Sequence, residues 1–179
     1  MENVFFSHIF RFYSKSLTFP YTELGFELQH LFRQMEILCR NELEEQLASH
    51  ALEILNYFQG EDMSSLQAEY SRMFSHVEGD EPLLAIHFTE YGDAGDADHI
   101  LDHLFDSSFD LSYDEAPNSI INLLDYYCYL ADGDEIVGHL KEFSSILEDF
   151  SKKLYDVSNI NFYKELAKGL NELAIIFSD

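Results

Sequence analysis

The sequence predicts an all-α single domain spanning residues 1–179, a bundle of about eight helices. Three observations predict it. Apolar residues recur at three-and-four spacing along most of the chain. No alternating run of useful length appears, and Val, a favoured strand residue, is scarce. Stop and cap signals divide the periodic stretches into helix-sized pieces.

The first helix, about 2–18, carries two adjacent apolar rows: Phe5, Ile9, Phe12 and Ser16, then Phe6, Phe10, Tyr13 and Leu17. An apolar helix of this kind is central, or it lines a groove. Pro20 stops it, and Thr22 is placed to cap a second helix over 22–40 with Leu24, Leu28, Leu31, Met35 and Leu38 inward. The third, 41–59, carries Leu43, Leu47, Ile54, Leu55 and Phe58 and stops at Gly60. Asp62 caps the fourth, 62–75, whose inner face is Leu66, Tyr70, Met73 and Phe74. The chain then turns irregular and acidic to Glu81, and Pro82 opens a short apolar stretch, LLAIHF. The fifth helix, 96–106, presents Ile100, Leu101, Leu104 and Phe105.

Pro117 fits the first turn of a sixth helix, 117–131, with Ile120, Ile121, Leu124 and Cys128. The seventh, 133–156, carries Ile136, Leu140, Phe143, Leu147, Phe150 and Leu154. The eighth, 159–177, carries Phe162, Leu166, Leu170, Leu173 and Phe177. Two links, about 75–95 and 106–116, exceed ordinary helix–helix connections, and long links in compact domains are often functional. Such links also permit exchange between chains, so both a monomer and a domain-swapped dimer are compatible with the sequence.

Charge narrows the partners. Thirty-four Asp and Glu against ten Lys and Arg give a net charge of −24. Such a chain lacks the basic footprint a nucleic-acid backbone requires. It favours basic peptides or metal ions. The imbalance is concentrated: between Arg72 and Lys141 no Lys or Arg occurs, while sixteen acidic residues and five His do. Arg72 itself is expected to pair with Glu69 or another helix carboxylate. Cys39 and Cys128 lie in apolar helical patterns without CxxC spacing and read as free thiols in a reducing compartment. No segment approaches the roughly twenty apolar residues of a membrane span. The opening MENVFFSHIFRFYSKSLTFP carries His, Arg and Lys within its apolar run and does not read as a signal peptide. A cytoplasmic protein is expected.

Catalytic patterns are few. In DADHILDH, His99 and His103 stand four apart and share a helix face, good spacing for two zinc ligands. The order is similar to H-x-x-E-H, but Asp102 replaces the Glu and no motif signals a third ligand. A solvated acidic face with His–Asp pairs is the competing reading. DAGDAD fails as a calcium loop, because counting from Asp93 puts Gly95 and Ala97 at ligand positions and Asp98 where Gly belongs. There is no GxSxG, no Cys in a motif with His, and no Gly-rich phosphate loop. No catalytic residue, metal ligand or cofactor is assigned.

Four stretches together resemble one family. FRFYSKSLTFPYTEL is similar to a first helix that ends in an aromatic-Pro step. LQAEYSRMF resembles an L-x-x-x-[YF]-[ST]-R-L-F segment. HFTEYGDAGDADHILDHL resembles an aromatic, Gly and acidic run leading into a helix. EAPNSIINLLDYYCYLA resembles E-x-P-D-H-L followed by an apolar helix with L-E-F. Their order across residues 9–131 identifies the chain as similar to the TorD/DmsD/NarJ redox-enzyme maturation chaperones, the nitrate-reductase delta-subunit superfamily. The resemblance implies an all-helical, non-enzymatic cytoplasmic chaperone. Its partner would be the precursor of a molybdenum-cofactor oxidoreductase catalytic subunit, bound through its twin-arginine signal peptide until the cofactor is inserted. The site it implies is a groove of Tyr13, Tyr70, Met73, Phe74 and Pro82, with Asp125 and Tyr126 at the rim. Asn118 and Ser119 stand where the family has Asp-His, positions implicated in signal-peptide recognition. An acidic adaptor domain, or a zinc hydrolase around His99 and His103, are the alternative readings.

Overall fold

The structure, a computed structural model, describes residues 3–75, 80–111, 114–133 and 140–178, with the side chain of Asn3 excepted. Eight α-helices occur among the described residues: α1 (Asn3–Ser16), α2 (Leu24–Leu38), α3 (Glu42–Gly60), α4 (Met63–Phe74), α5 (Asp96–Asp106), α6 (Ile120–Asp132), α7 (Leu140–Val157) and α8 (Asn161–Ser178). The all-α expectation holds. Extended pairing among these residues is confined to isolated bridges such as that between His87 and Ser119. No helix among them is long and apolar enough to cross a membrane. Ile136 and the start of the expected seventh helix, residues 76–79 and 112–113 of the two links, and residue 2 lie outside the described residues.

The two apolar rows of α1 are explained by its position. It packs against α2, α3, α6 and α8. Phe5, Phe6, Ile9, Phe10, Phe12 and Tyr13 are all buried. Phe10 makes ring contacts with Tyr127, Phe143 and Phe177, so the centre of the bundle is an aromatic cluster drawn from four helices. The helices α7 and α8 form the closest pair, with α3 packed on α8 and α5 on α7.

Helix starts follow the capping chemistry of the sequence with two corrections. Asn41, Asp62 and Ser119 each accept a bond from the backbone N–H three residues on, and so cap α3, α4 and α6. Thr22 does not cap α2. The N-cap is Glu23, whose side chain makes no cap bond, and residue 22 belongs to the preceding turn. Pro117 does not open α6 either. The Phe88 N–H donates to the Asn118 carbonyl at 2.7 Å and the Ile120 N–H to the Ile86 carbonyl at 2.8 Å. A turn closed by the Ser119 N–H to the Ala116 carbonyl precedes Ser119, which these bonds hold extended, so the helix begins only after it.

Two side chains expected in the core face outward. Phe105 is 61% exposed, because α5 buries the row of Ile100 and Leu104 and the next residue lies about 100° round the helix. Leu43, in the first turn of α3, is exposed as well. LLAIHF turns Leu84 and Phe88 inward, leaves Leu83 exposed and ends in a 3₁₀ turn, Phe88–Glu90. The loop that follows is pressed onto α7. Gly92 has φ +79°, and a Cβ there would meet the Ile146 side chain at 2.8 Å. A glycine is required on both counts.

Candidate functional site

Helix α4 brings the central residues of the expected groove together. Leu66, Glu69 and Met73 form its inner row, and Tyr70 and Phe74 lie half-buried on the adjacent one. The Tyr70 and Phe74 rings sit 4.8 Å apart. Phe19, just beyond α1, meets Tyr70 edge-on at 5.5 Å and is 49% exposed. The result is a partly exposed aromatic ridge, Phe19–Tyr70–Phe74. Of these, Phe19 was absent from the sequence-derived groove, although the aromatic-Pro step before Pro20 marked its place.

Two of the expected groove residues are core residues in this conformation. Tyr13 has no exposed surface and lies against Gly169, and Met73 is sealed beneath Ser158, whose Oγ is 3.5 Å from the sulfur. Both sit on helix rows that face the bundle. Pro82 is half-buried near the end of α4, where the Leu84 N–H donates to the Met73 carbonyl at 2.9 Å. Asn118 and Ser119 build the joint between the two links. Asn118 Nδ2 donates to Thr89 Oγ1 at 3.1 Å, while Ser119 is buried and caps α6.

The charge of one acidic group, Glu115, reaches the ridge at Tyr70. Burial pushes the Glu115 carboxyl above the ordinary range, and the neighbouring charges of Asp114 and Asp125 add to it. Burial likewise raises Asp125, against the pull of the Ser14 hydroxyl and of Arg11 and Lys15. The Tyr70 hydroxyl is pushed up to about 12 by burial and by the charge of Glu115. Glu115 is thus the link: its charge acts on Tyr70, 45 residues away in the chain, and it feels that of Asp125. Glu115 was not singled out from the sequence; its signal was the E-x-P step. Tyr126 is only 3% exposed and is covered by Phe109, with ring centroids 5.6 Å apart. It lies beneath the surface and not on the rim. On the outer side of α6 a cleft of about 520 Å³ is lined by Arg11, Lys15, Phe109, Asp125, Tyr129 and Asp132.

Arg72 pairs with Glu69, as its position in the sequence suggested. His99 Nδ1 lies 3.6 Å from Glu142 Oε1 across the α5–α7 contact. Among the described residues no group of three His, Cys, Asp or Glu side chains is arranged to hold a metal ion. In the DAGDAD loop the Asp96 carboxylate accepts the Asp93 N–H at 2.9 Å. Cys39 and Cys128 are both free. The chain matches no protein-family model, no curated protein and no solved structure.

Proposed function

We propose that this chain is a non-enzymatic cytoplasmic chaperone that binds a basic, apolar peptide segment of a client. The client is the precursor of a molybdenum-cofactor oxidoreductase, held through its twin-arginine leader during cofactor insertion. One observation carries the reading: the charge of the half-buried Glu115 reaches Tyr70 in the partly exposed ridge of Phe19, Tyr70 and Phe74, and the charge of the half-buried Asp125 reaches Glu115. Burial raises both carboxyls, and at Glu115 the charges of Asp114 and Asp125 add to it, so a counter-charge there is favourable. An incoming guanidinium supplies it through paired, charge-assisted hydrogen bonds. The ridge offers apolar rings to the leader's apolar run, and the net charge of −24 draws a cationic peptide in. The resemblance to the TorD/DmsD/NarJ chaperones names the client class.

Calorimetric titration with two peptides tests the proposal, one bearing adjacent arginines before an apolar run and the other with glutamines in their place. The arginine peptide should bind at least about tenfold more tightly, the worth of one charge-assisted contact. Equal affinities would favour a general acidic adaptor and sink the leader-binding role.

A further inference from the structure

The segment 107–111, SSFDL, lies across the outer face of α6, with Phe109 and Leu111 packed against the bundle. Phe109 is partly buried, its ring 5.6 Å from that of Tyr126 and 5.7 Å from that of Tyr129. Ser108 Oγ and the Tyr129 hydroxyl share a hydrogen bond of 2.8 Å. Backbone bonding does little to fix the segment. The Ser107 N–H still belongs to the end of α5, and the Phe109 N–H turns back to Ser107 Oγ. Among the described residues, no backbone group of 108–111 bonds to α6 or to any other element. Among the described residues, the side chains of Phe109 and Leu111 and the Ser108 hydroxyl hold it down, over a cleft that also contains Arg11, Lys15 and Asp125.

We infer that residues 107–111 are a displaceable strap in which Phe109 occupies, as a built-in substitute, the tyrosine surface that an apolar residue of the bound peptide takes over. This inference rests on the proposed peptide-binding role and adds its regulation. The chemistry of the two occupants is alike. Phe109 offers Tyr126 and Tyr129 an apolar ring on an extended chain, which is what an apolar leader residue beside the Asp125 carboxylate would offer. Among the described residues, side-chain contacts and no ladder of backbone bonds oppose its release. A closed strap lowers apparent affinity by the fraction of molecules in which the surface is free. It also keeps the tyrosine surface from non-specific apolar partners when no client is present.

The chain contains no Trp, so Phe109→Trp introduces a single indole reporter. The probe is the arginine-bearing apolar peptide. On its addition the indole emission should shift to the red and become more accessible to acrylamide, as the side chain leaves the tyrosines. In parallel, Phe109→Ala should bind the same peptide more tightly than wild type, by about tenfold if the strap is closed nine-tenths of the time. Thermal unfolding of both variants confirms that they are folded. Binding with unchanged or blue-shifted emission, or weaker binding by folded Phe109→Ala, would make Phe109 a wall of the site and overturn the strap while leaving peptide binding intact. Absence of binding by wild type and Phe109→Ala alike overturns both the peptide-binding role and the strap.

Discussion

Glu69 and Arg72 form a two-bond ion pair on α4, with Arg72 Nε and Nη2 each donating at 2.8 Å to a different oxygen of the Glu69 carboxylate. The pair reaches beyond its own helix. Arg72 also donates to the Val157 carbonyl, and the Asn159 N–H donates to Glu69 Oε1 at 2.6 Å. Gln67 Nε2 adds a bond to the Pro20 carbonyl at 2.9 Å. These ties fasten α4, which carries Tyr70 and Phe74, to the α7–α8 turn and to the connection between α1 and α2.

Arg72→Ala should therefore destabilise the protein by about 1–3 kcal/mol, since it leaves the buried Glu69 carboxylate without its principal partner. Arg72→Lys should recover only part of this, because a point charge cannot reproduce the two-bond fork. Chemical denaturation of the three proteins measures both effects. An unchanged midpoint for Arg72→Ala would mean that Leu66 and Met73 alone hold α4 in place.

Stability should depend on pH in two opposite ways. Burial pushes Glu69 up, but its bonds from Arg72 and Asn159 outweigh this and the carboxyl ends below the ordinary value. Its contribution is present above the unfolded-state value, about 4, and is lost as pH falls through the lower folded value. Asp125 is raised, so the folded state carries a charge penalty that is absent below the unfolded value and grows as pH rises through the folded one. Asp125→Asn should accordingly gain stability relative to wild type as pH increases from 4 towards 8, by roughly 1 kcal/mol per unit of raised pKa. Denaturation curves across that range should converge at the acid end. A variant that is less stable than wild type at neutral pH would show that Arg11 and Lys15 outweigh the burial of Asp125.

Tyr13 and Gly169 provide a test of the core assignment. The Tyr13 hydroxyl is buried without a hydrogen-bond partner among the described residues, and a Cβ on Gly169 would clash with it. Tyr13→Phe should be neutral or stabilising by up to about 1 kcal/mol, because it removes an unsatisfied polar group. Gly169→Ala should cost about 1–3 kcal/mol through overpacking. Peptide affinity should be unaltered by Tyr13→Phe. A selective loss of binding in that variant would return Tyr13 to the site.

Much of the fold is legible in the sequence, because α-helices are local objects. The period of Phe162, Leu166, Leu170, Leu173 and Phe177 defines α8, and all five are buried. The cap chemistry of Asp62 is equally local. What the period leaves open is which of two neighbouring apolar rows faces out. On α4 this separates Met73, sealed in the core, from Tyr70 and Phe74, and no spacing rule distinguishes them. The same ambiguity concealed the burial of Tyr13. The meeting of Tyr70 with Glu115, and of Phe109 with Tyr129, depends on how irregular links return to the bundle, and irregular links carry no period to read. Thr22 and Pro117 failed as helix starts for a related reason. At Pro117 the backbone bonds that displaced the helix start come from residues 86–88, which lie far off in the chain.

The division of labour at the candidate site leads to the last prediction. Phe74 lies against Tyr70 with the rings tilted 46° and is half-buried, so it is placed to act as an apolar anchor. Phe74→Ala should weaken binding of the arginine-bearing peptide by about 1–4 kcal/mol, mainly through faster dissociation. Asp125 is half-buried beside a charged cleft, where on the proposed role its charge would act both on encounter and on a bound guanidinium. Asp125→Asn should slow association and reduce its dependence on salt, with a smaller effect on dissociation. Because the carboxyl is raised, wild-type affinity should also fall as pH drops below its folded value, whereas Asp125→Asn should lose much of that dependence. Stopped-flow mixing at low and high salt, with thermal unfolding to confirm folded protein, separates these effects. Some loss for Phe74→Ala could arise from looser packing of α4, and a Phe74→Leu variant controls for this by keeping apolar volume while removing the ring. If folded Phe74→Ala and Asp125→Asn both associate and dissociate as wild type does, the peptide does not bind between the ridge and the carboxylates.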